Sequence, residues 1–115
     1  MKTLHLVLKK QWFDLIASGE KTEEYREITP YWQKRLCINY NFYGCVIQCW
    51  TCVKDGFDVD GLNQYDTVTF YFGYQKDRPQ MTFKVKEITI GYGKEEWGAE
   101  KGKVYFVIKL GERIL

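Results

Sequence analysis

The residues best suited to chemistry lie in one short stretch, residues 19–27, which reads Gly-Glu-Lys-Thr-Glu-Glu-Tyr-Arg-Glu. Because successive side chains of a strand point to opposite faces, this stretch places an acid and a base on one face and two acids around a tyrosine on the other. The first face holds Thr22, Glu24 and Arg26, and the second holds Glu23, Tyr25 and Glu27. A strand of a small domain normally contributes one face to the core, but neither of these faces is apolar. We therefore predict that one face of this strand lines a polar cleft.

Three residues of the stretch, Lys21, Glu24 and Arg26, could carry binding or catalysis. A guanidinium group can bind a phosphate or a base edge through two hydrogen bonds, and Glu24 could position it. Alternatively, Glu24 and Arg26 form an ion pair that braces the strand and contributes about 0–1 kcal/mol if it is exposed. Lys21 could contact phosphate, act as a general base with a lowered pKa, or be a solvated side chain.

A glycine-rich loop near the C-terminus supplies a second set of candidates, Glu95, Glu96 and Trp97. An indole ring can stack on a nucleobase, a contact worth about 1–3 kcal/mol per base. Trp97 could equally cover the end of the fold. Tyr25 could be a further stacking surface or a cross-strand packing partner.

Composition sets wide limits on the class of protein. The 115 residues leave room for one domain, and an aromatic content of 17% favours strands and surfaces on which a flat ligand can stack. A net charge of +2 is too small to indicate nucleic-acid binding by itself. No apolar run approaches the roughly 18 residues that span a bilayer, and no apolar segment of about 7–15 residues follows Met1. We expect a cytoplasmic protein that does not enter a membrane.

The cysteines and the single histidine do not predict a metal site or a cofactor. Only Cys49 and Cys52 have zinc-knuckle spacing, and Cys37 and Cys45 fit no standard ligand set, so we expect structural thiols. His5 lies on a predicted strand, and no serine or cysteine partner is implied by its spacing.

Hydrophobic periodicity predicts an α+β fold. Alternating apolar residues predict strands, and apolar residues spaced by three and four predict two short helices, the first ending at Gly19. The predicted strands are 3–9, a polar strand from 21, 66–72, 81–90 and 103–110, and the predicted helices are 10–18 and 31–36. Residues 39–64 form an irregular insert, which could hold a strand at 45–53. Together these elements predict a small mixed β-barrel of about five to six strands with two short helices.

The pattern Gly19-x-Lys21-x-x-Glu24-x-Arg26 resembles the signature of the ASCH family (activating signal cointegrator homology domain) in the PUA-like superfamily. Further resemblance lies in Tyr65-Asp66-Thr67-Val68, in Trp97-Gly98 and in Tyr105-Phe106-Val107-Ile108. It spans most of the chain apart from about 39–64. It implies a single ASCH/PUA-like domain over 1–115, a PUA-like β-barrel, and a cleft that binds RNA or a modified nucleoside. The resemblance implies that the signature residues line this cleft; with the aromatic and loop candidates added, the predicted ligand-binding residues are Lys21, Glu24, Tyr25, Arg26, Glu95 and Trp97.

One branch of the family hydrolyses the amide of acetylated cytidine, which gives an alternative function. For such a hydrolase, the resemblance implies Lys21 as the catalytic lysine and Glu95, Glu96 or Glu100 as the loop carboxylate. Of these three, we predict Glu96. This chain has Glu24 where that branch has a nucleophilic threonine. A carboxylate can attack or activate water, but chemistry through a threonine ester cannot be transferred to it. We therefore expect a domain that binds RNA or a nucleoside, with an amide hydrolase or a protein-interaction module as the alternatives.

Overall fold

A five-stranded mixed sheet, curled into a half-barrel, organises the protein. The computed structural model describes residues 2–36, 62–73 and 77–115. The strands are β1 (Thr3–Leu8), β2 (Glu23–Glu27), β3 (Thr67–Phe72), β4 (Gln80–Tyr92) and β5 (Val104–Arg113). In these ranges the helices are α1 (Lys10–Ser18) and α2 (Pro30–Leu36), and a short 3₁₀ helix spans Glu95–Trp97. The strand order is β1-β3-β4-β5-β2, with β1 parallel to β3 and the other pairs antiparallel. The predicted α+β class is confirmed.

The first two elements follow their sequence patterns closely. Leu4, Leu6 and Leu8 alternate along β1 and are all buried in the main hydrophobic cluster. The period then changes to that of a helix, and Ile16 of α1 packs against the same cluster. Gly19 ends α1 in the left-handed conformation, with φ 89°, and donates its N–H to the carbonyl of Ile16.

Helix α2 begins at Pro30, as predicted by a threonine suited to the N-cap followed by a proline suited to the first helical position. Proline suits the first helical position because its missing N–H would have had no partner within the helix. The hydroxyl group of Thr29 accepts a hydrogen bond of 3.5 Å from the backbone N–H of Trp32. The spacing of Trp32 and Leu36 predicts that both face inward, and this is confirmed: Leu36 is fully buried and Trp32 packs against the edge of the core.

Strand β4 changes its inward face partway along. Met81 and Phe83 are buried near its start, whereas Ile88 and Ile90 are buried near its end. Two register shifts against β5, either side of Val85, account for the change, because an extra residue in one strand reverses the alternation. The predicted alternation through Met81, Phe83 and Val85 therefore does not extend along the whole strand.

The two edge strands of the sheet, β1 and β2, are joined by a side chain. The Nη2 atom of Arg26 donates a hydrogen bond of 3.1 Å to the backbone carbonyl of Val7, at the end of β1. Since Arg26 belongs to the strand that sequence analysis placed at a cleft, this contact locates the site where the two edges approach each other.

Several sequence-based predictions lie outside the described residues. These are the four cysteines, the predicted strand at 45–53 and all but the last three residues of the insert at 39–64. Within the described residues, each helix is too short or too polar to cross a bilayer.

Candidate functional site

The structure brings Lys21, Glu24 and Arg26 together around one carboxylate. The Nζ atom of Lys21 lies 2.9 Å from Oε1 of Glu24, and Nη1 of Arg26 lies 2.9 Å from Oε2. The backbone N–H of Tyr25 donates a further hydrogen bond of 3.1 Å to Oε1. Glu24 is only 4% exposed. A buried carboxylate thus holds two cations and gives this cluster one net positive charge.

Lys21 is buried, although the residues on either side of it in the sequence, Glu20 and Thr22, are exposed. The residue is 1% exposed, and its ammonium group donates a second hydrogen bond, of 3.0 Å, to the backbone carbonyl of Trp97. The same group lies 5.2 Å from the ring of Trp12 and 4.9 Å from the ring of Tyr25. Burial lowers the pKa of Lys21, and the neighbouring Glu24 opposes that effect only in part. Lys21 therefore supports the site from beneath, where a ligand would not reach it directly.

Arg26 spans the site from the carboxylate to the edge of the sheet. Its Nη1 donates to Glu24 and to the backbone carbonyl of Tyr25, and its Nη2 donates to Val7. The guanidinium plane also lies 5.3 Å from the ring of Trp32. These contacts engage three of the five N–H groups that arginine carries, and one of the two others is on Nη2. The side chain is 19% exposed, so an arginine fixed in position still presents part of its surface.

The other face of β2 corrects the expectation that neither face is apolar. Tyr25 is 7% exposed and packs in a second cluster with Ala99, Tyr105 and Val107. Its hydroxyl group donates to Glu23 at 2.8 Å. Burial raises the pKa of Tyr25 far above its ordinary value. The tyrosine ring supplies the apolar contact that its acidic neighbours cannot, because only the hydroxyl group needs a polar partner.

Three side chains hold the loop that contains Trp97 against the sheet. The hydroxyl groups of Tyr25 and Tyr105 accept hydrogen bonds from the backbone N–H groups of Lys94 and Glu100, at 3.0 and 2.9 Å. Lys21 binds the backbone carbonyl of Trp97 between them. The loop is therefore fixed at its start, middle and end by groups on or next to β2 and β5.

An open cleft of about 450 Å³ lies between this loop and the start of α1. Its lining includes three tryptophans together with Glu24 and Arg26 of β2. The lining residues are Lys9, Trp12, Glu24, Tyr25, Arg26, Glu27, Thr29, Trp32, Trp97, Gly98, Glu100 and Tyr105.

The cleft includes some predicted site residues and leaves others out. The predicted residues that line it are Glu24, Tyr25, Arg26 and Trp97. Of the three candidate loop carboxylates, it is Glu100 that lines the cleft. Lys21 lies beneath it. The other two candidates, Glu95 and Glu96, are exposed in the 3₁₀ turn and are not part of the lining.

Sequence analysis did not identify Lys9, Trp12 and Trp32 as part of the site. Both tryptophans lie on helices at spacings typical of residues that face the core, and each is half-buried while also contributing to the cleft wall. The high aromatic content was the one available signal. It could not indicate position, because a tryptophan at helical spacing is equally compatible with the core.

Gly98 lies in close contact with the indole ring of Trp12, where a larger residue would not fit. Its φ is +100°, and a Cβ atom there would lie 2.9 Å from Cζ2 of Trp12. Gly98→Ala is expected to lower the free energy of unfolding by about 1–3 kcal/mol, because it combines backbone strain with a displaced indole ring. Urea denaturation followed by tryptophan fluorescence measures the change.

Gly102→Ala is the matched control for this substitution. Gly102 also has a positive φ, +77°, but a Cβ atom there would meet nothing within 4 Å. The control therefore reports backbone strain alone. Equal destabilisation by the two variants would show that contact with Trp12 does not matter.

In comparisons with known proteins, the chain matches no family model, no curated protein and no solved structure. Its function is therefore inferred from the residues of the site.

Proposed function

We propose that this chain is an RNA- or nucleoside-binding domain of the ASCH type, with a PUA-like barrel, and that its cleft accepts a nucleobase. The observation that carries the proposal is the composition of the cleft wall, where three tryptophans surround the Glu24–Arg26 pair. The volume of about 450 Å³ is within the range of small-molecule sites, about 300–1,000 Å³. The curled mixed sheet and the signature that runs from the end of α1 into β2 support the assignment to this class.

The polar groups of the cleft suit the edge of a base. Among the residues that the structure describes, Oε1 of Glu24 accepts two hydrogen bonds and Oε2 accepts one, from Arg26. A carboxylate oxygen can accept two, so Oε2 could take a hydrogen bond from an exocyclic amino group. The remaining N–H on Nη2 of Arg26 could donate to a carbonyl group or a ring nitrogen. The pair therefore offers a donor and an acceptor next to surfaces on which a base can stack.

The experiment that tests this function is binding of single-stranded RNA and of free nucleosides, measured by calorimetry. We expect affinity for RNA to fall with salt, with a logarithmic slope of about −0.7 for each phosphate contact. Arg26→Ala is expected to weaken binding about 10- to 150-fold, which corresponds to the loss of one charge-assisted contact worth about 1.5–3 kcal/mol. The fold should survive, because Lys21 still neutralises Glu24.

Arg113→Ala is the control, since Arg113 is exposed and is not part of the cleft lining. It removes the same charge and should leave affinity unchanged. If neither RNA nor any nucleoside binds to the wild-type protein, the proposed function is wrong. If, in addition, Arg26→Ala unfolds the domain, its role is structural and a protein-interaction module becomes the better proposal.

An amide hydrolase that acts on an acylated nucleoside is the second candidate. It is favoured by one observation, the contact between the cleft-lining Glu24 and the buried Lys21, whose pKa is lowered. Incubation with acetylcytidine tests it, and turnover abolished by Lys21→Ala would establish this function instead. The geometry favours binding, because Lys21 lies beneath the cleft with its ammonium group already bonded to Glu24 and to the backbone carbonyl of Trp97.

A further inference from the structure

A second cavity, of about 590 Å³, adjoins the cleft. The two share four lining residues, Lys9, Trp12, Glu24 and Arg26. The second cavity adds Val7, Leu8, Phe72 and Gly73, which lie at the ends of β1 and β3. Since the same side chains form a wall of both cavities, the two lie side by side along one groove.

The two cavities differ in the chemistry of their walls. Beyond the shared residues, the walls of the first cleft include Trp32 and Trp97 and two acidic residues, Glu27 and Glu100. The second cavity adds only apolar side chains and a glycine. Phe72 is half-buried, and its ring lies 6.2 Å from that of Phe13, which supports it from α1. A phenylalanine held in this way presents a flat apolar surface without a polar requirement of its own.

Two cations lie where the cavities meet. Arg26 is partly exposed there, and Lys9 is exposed immediately before α1. Within residues 2–36, 62–73 and 77–115, Lys9 forms no salt bridge, whereas its neighbour Lys10 is paired with Asp14 at 2.8 Å. An anion bound at the junction would therefore meet a cation that pairs with no carboxylate of the described ranges.

We propose that the second cavity binds the nucleotide next to the one in the cleft, so that the ligand is a single strand of at least two nucleotides. This inference depends on the proposed function. Consecutive nucleosides are joined by one anionic phosphodiester, and the groove offers a cationic junction between two surfaces for bases. The phosphodiester lies at Lys9 and Arg26, and the second base packs against Phe72 and Val7.

Calorimetry with three sets of ligands tests the inference. The ligands are the four nucleosides, their 3′- and 5′-monophosphates, and the dinucleoside monophosphates ApA, CpC, GpG and UpU. For the preferred base, we expect the dinucleoside monophosphate to bind at least about tenfold more tightly than either mononucleotide, as expected for one further stacked base. The mononucleotides separate the effect of the phosphate from that of the second base.

Two variants assign the gain in affinity to the junction and to the second cavity. Lys9→Ala should weaken binding of the dinucleoside monophosphate about fivefold more than binding of the nucleoside, which carries no phosphate for Lys9 to bind, with Lys10→Ala as the neutral control. Phe72→Leu keeps an apolar side chain but removes the ring. It should reduce the affinity of the dinucleoside monophosphate to that of the mononucleotide, and unchanged nucleoside binding shows that the variant is folded.

The outcomes separate this inference from the proposed function. If the nucleoside or mononucleotide binds as tightly as the dinucleoside monophosphate, the second cavity is not a nucleotide subsite, although the cleft still binds a base. Equal loss for all ligands in Lys9→Ala would also overturn the inference, because Lys9 would then serve the cleft alone. If no ligand binds, the proposed function fails and the subsite fails with it.

Discussion

Glu24→Gln is expected to lower the free energy of unfolding by about 3–5 kcal/mol, the typical cost of removing one partner from a buried ion pair. Glutamine keeps the size of the side chain but removes the negative charge between Lys21 and Arg26. Two cations would then face each other, one of them fully buried, with no carboxylate to offset their loss of hydration. Urea denaturation at pH 7 measures the change.

Glu87→Gln is the control for the removal of a strand carboxylate. Glu87 pairs with Lys109 at 3.2 Å, but both side chains are more than 40% exposed. The control should change stability by less than about 1 kcal/mol. The double variant Lys21→Met/Glu24→Gln should be more stable than Glu24→Gln alone, because it removes the buried cation as well. A Glu24→Gln protein as stable as the Glu87→Gln control would show that the cluster is hydrated, contrary to the structure.

Trp97→Ala is expected to have the largest effect on ligand binding. Trp97 lines the cleft from the loop that Lys21, Tyr25 and Tyr105 hold in place, so its ring is positioned before a ligand arrives. Loss of one stacked base costs about 1–3 kcal/mol, which corresponds to an affinity decrease of about 5- to 150-fold. Calorimetry with the preferred nucleoside measures the decrease.

Tyr92→Ala provides the comparison, since Tyr92 is an aromatic residue that is 71% exposed and is not part of the cleft lining. It should leave affinity unchanged. The backbone carbonyl of Trp97, which binds Lys21, is retained in the alanine variant, so circular dichroism should show an intact fold. If Trp97→Ala is folded and binds the nucleoside as well as the wild-type protein, Trp97 only covers the end of the sheet.

Local patterns in the sequence predicted the elements around the site. The leucines of β1 alternate, the period changes at α1, and Gly19 ends that helix in the left-handed conformation. The prediction that Glu24 and Arg26 share a face is confirmed by their contact at 2.9 Å. Each of these features depends on residues a few positions apart, which is the range over which helix and strand periodicity acts.

The depth and the walls of the site depended on tertiary contacts. Lys21 is buried by Trp12 and by the loop at Trp97, 76 residues away along the chain. Tyr25 became part of a second apolar cluster because β5 and the loop bring Tyr105 and Ala99 to it. No local pattern indicates which partner will cover a given face.

Residues 19–27 show most clearly which features follow from local sequence and which depend on tertiary contacts. Their sequence alone determined that a strand would carry an acid and a base on one face and a tyrosine between acids on the other, because alternation is a property of the backbone. Only the tertiary structure decided that Glu24 would be buried between two cations, that Lys21 would lie beneath the cleft and that Arg26 would link β2 to β1. The physical reason is that burial and charge pairing depend on which distant segments pack together, whereas the direction of a side chain depends on its neighbours in the chain.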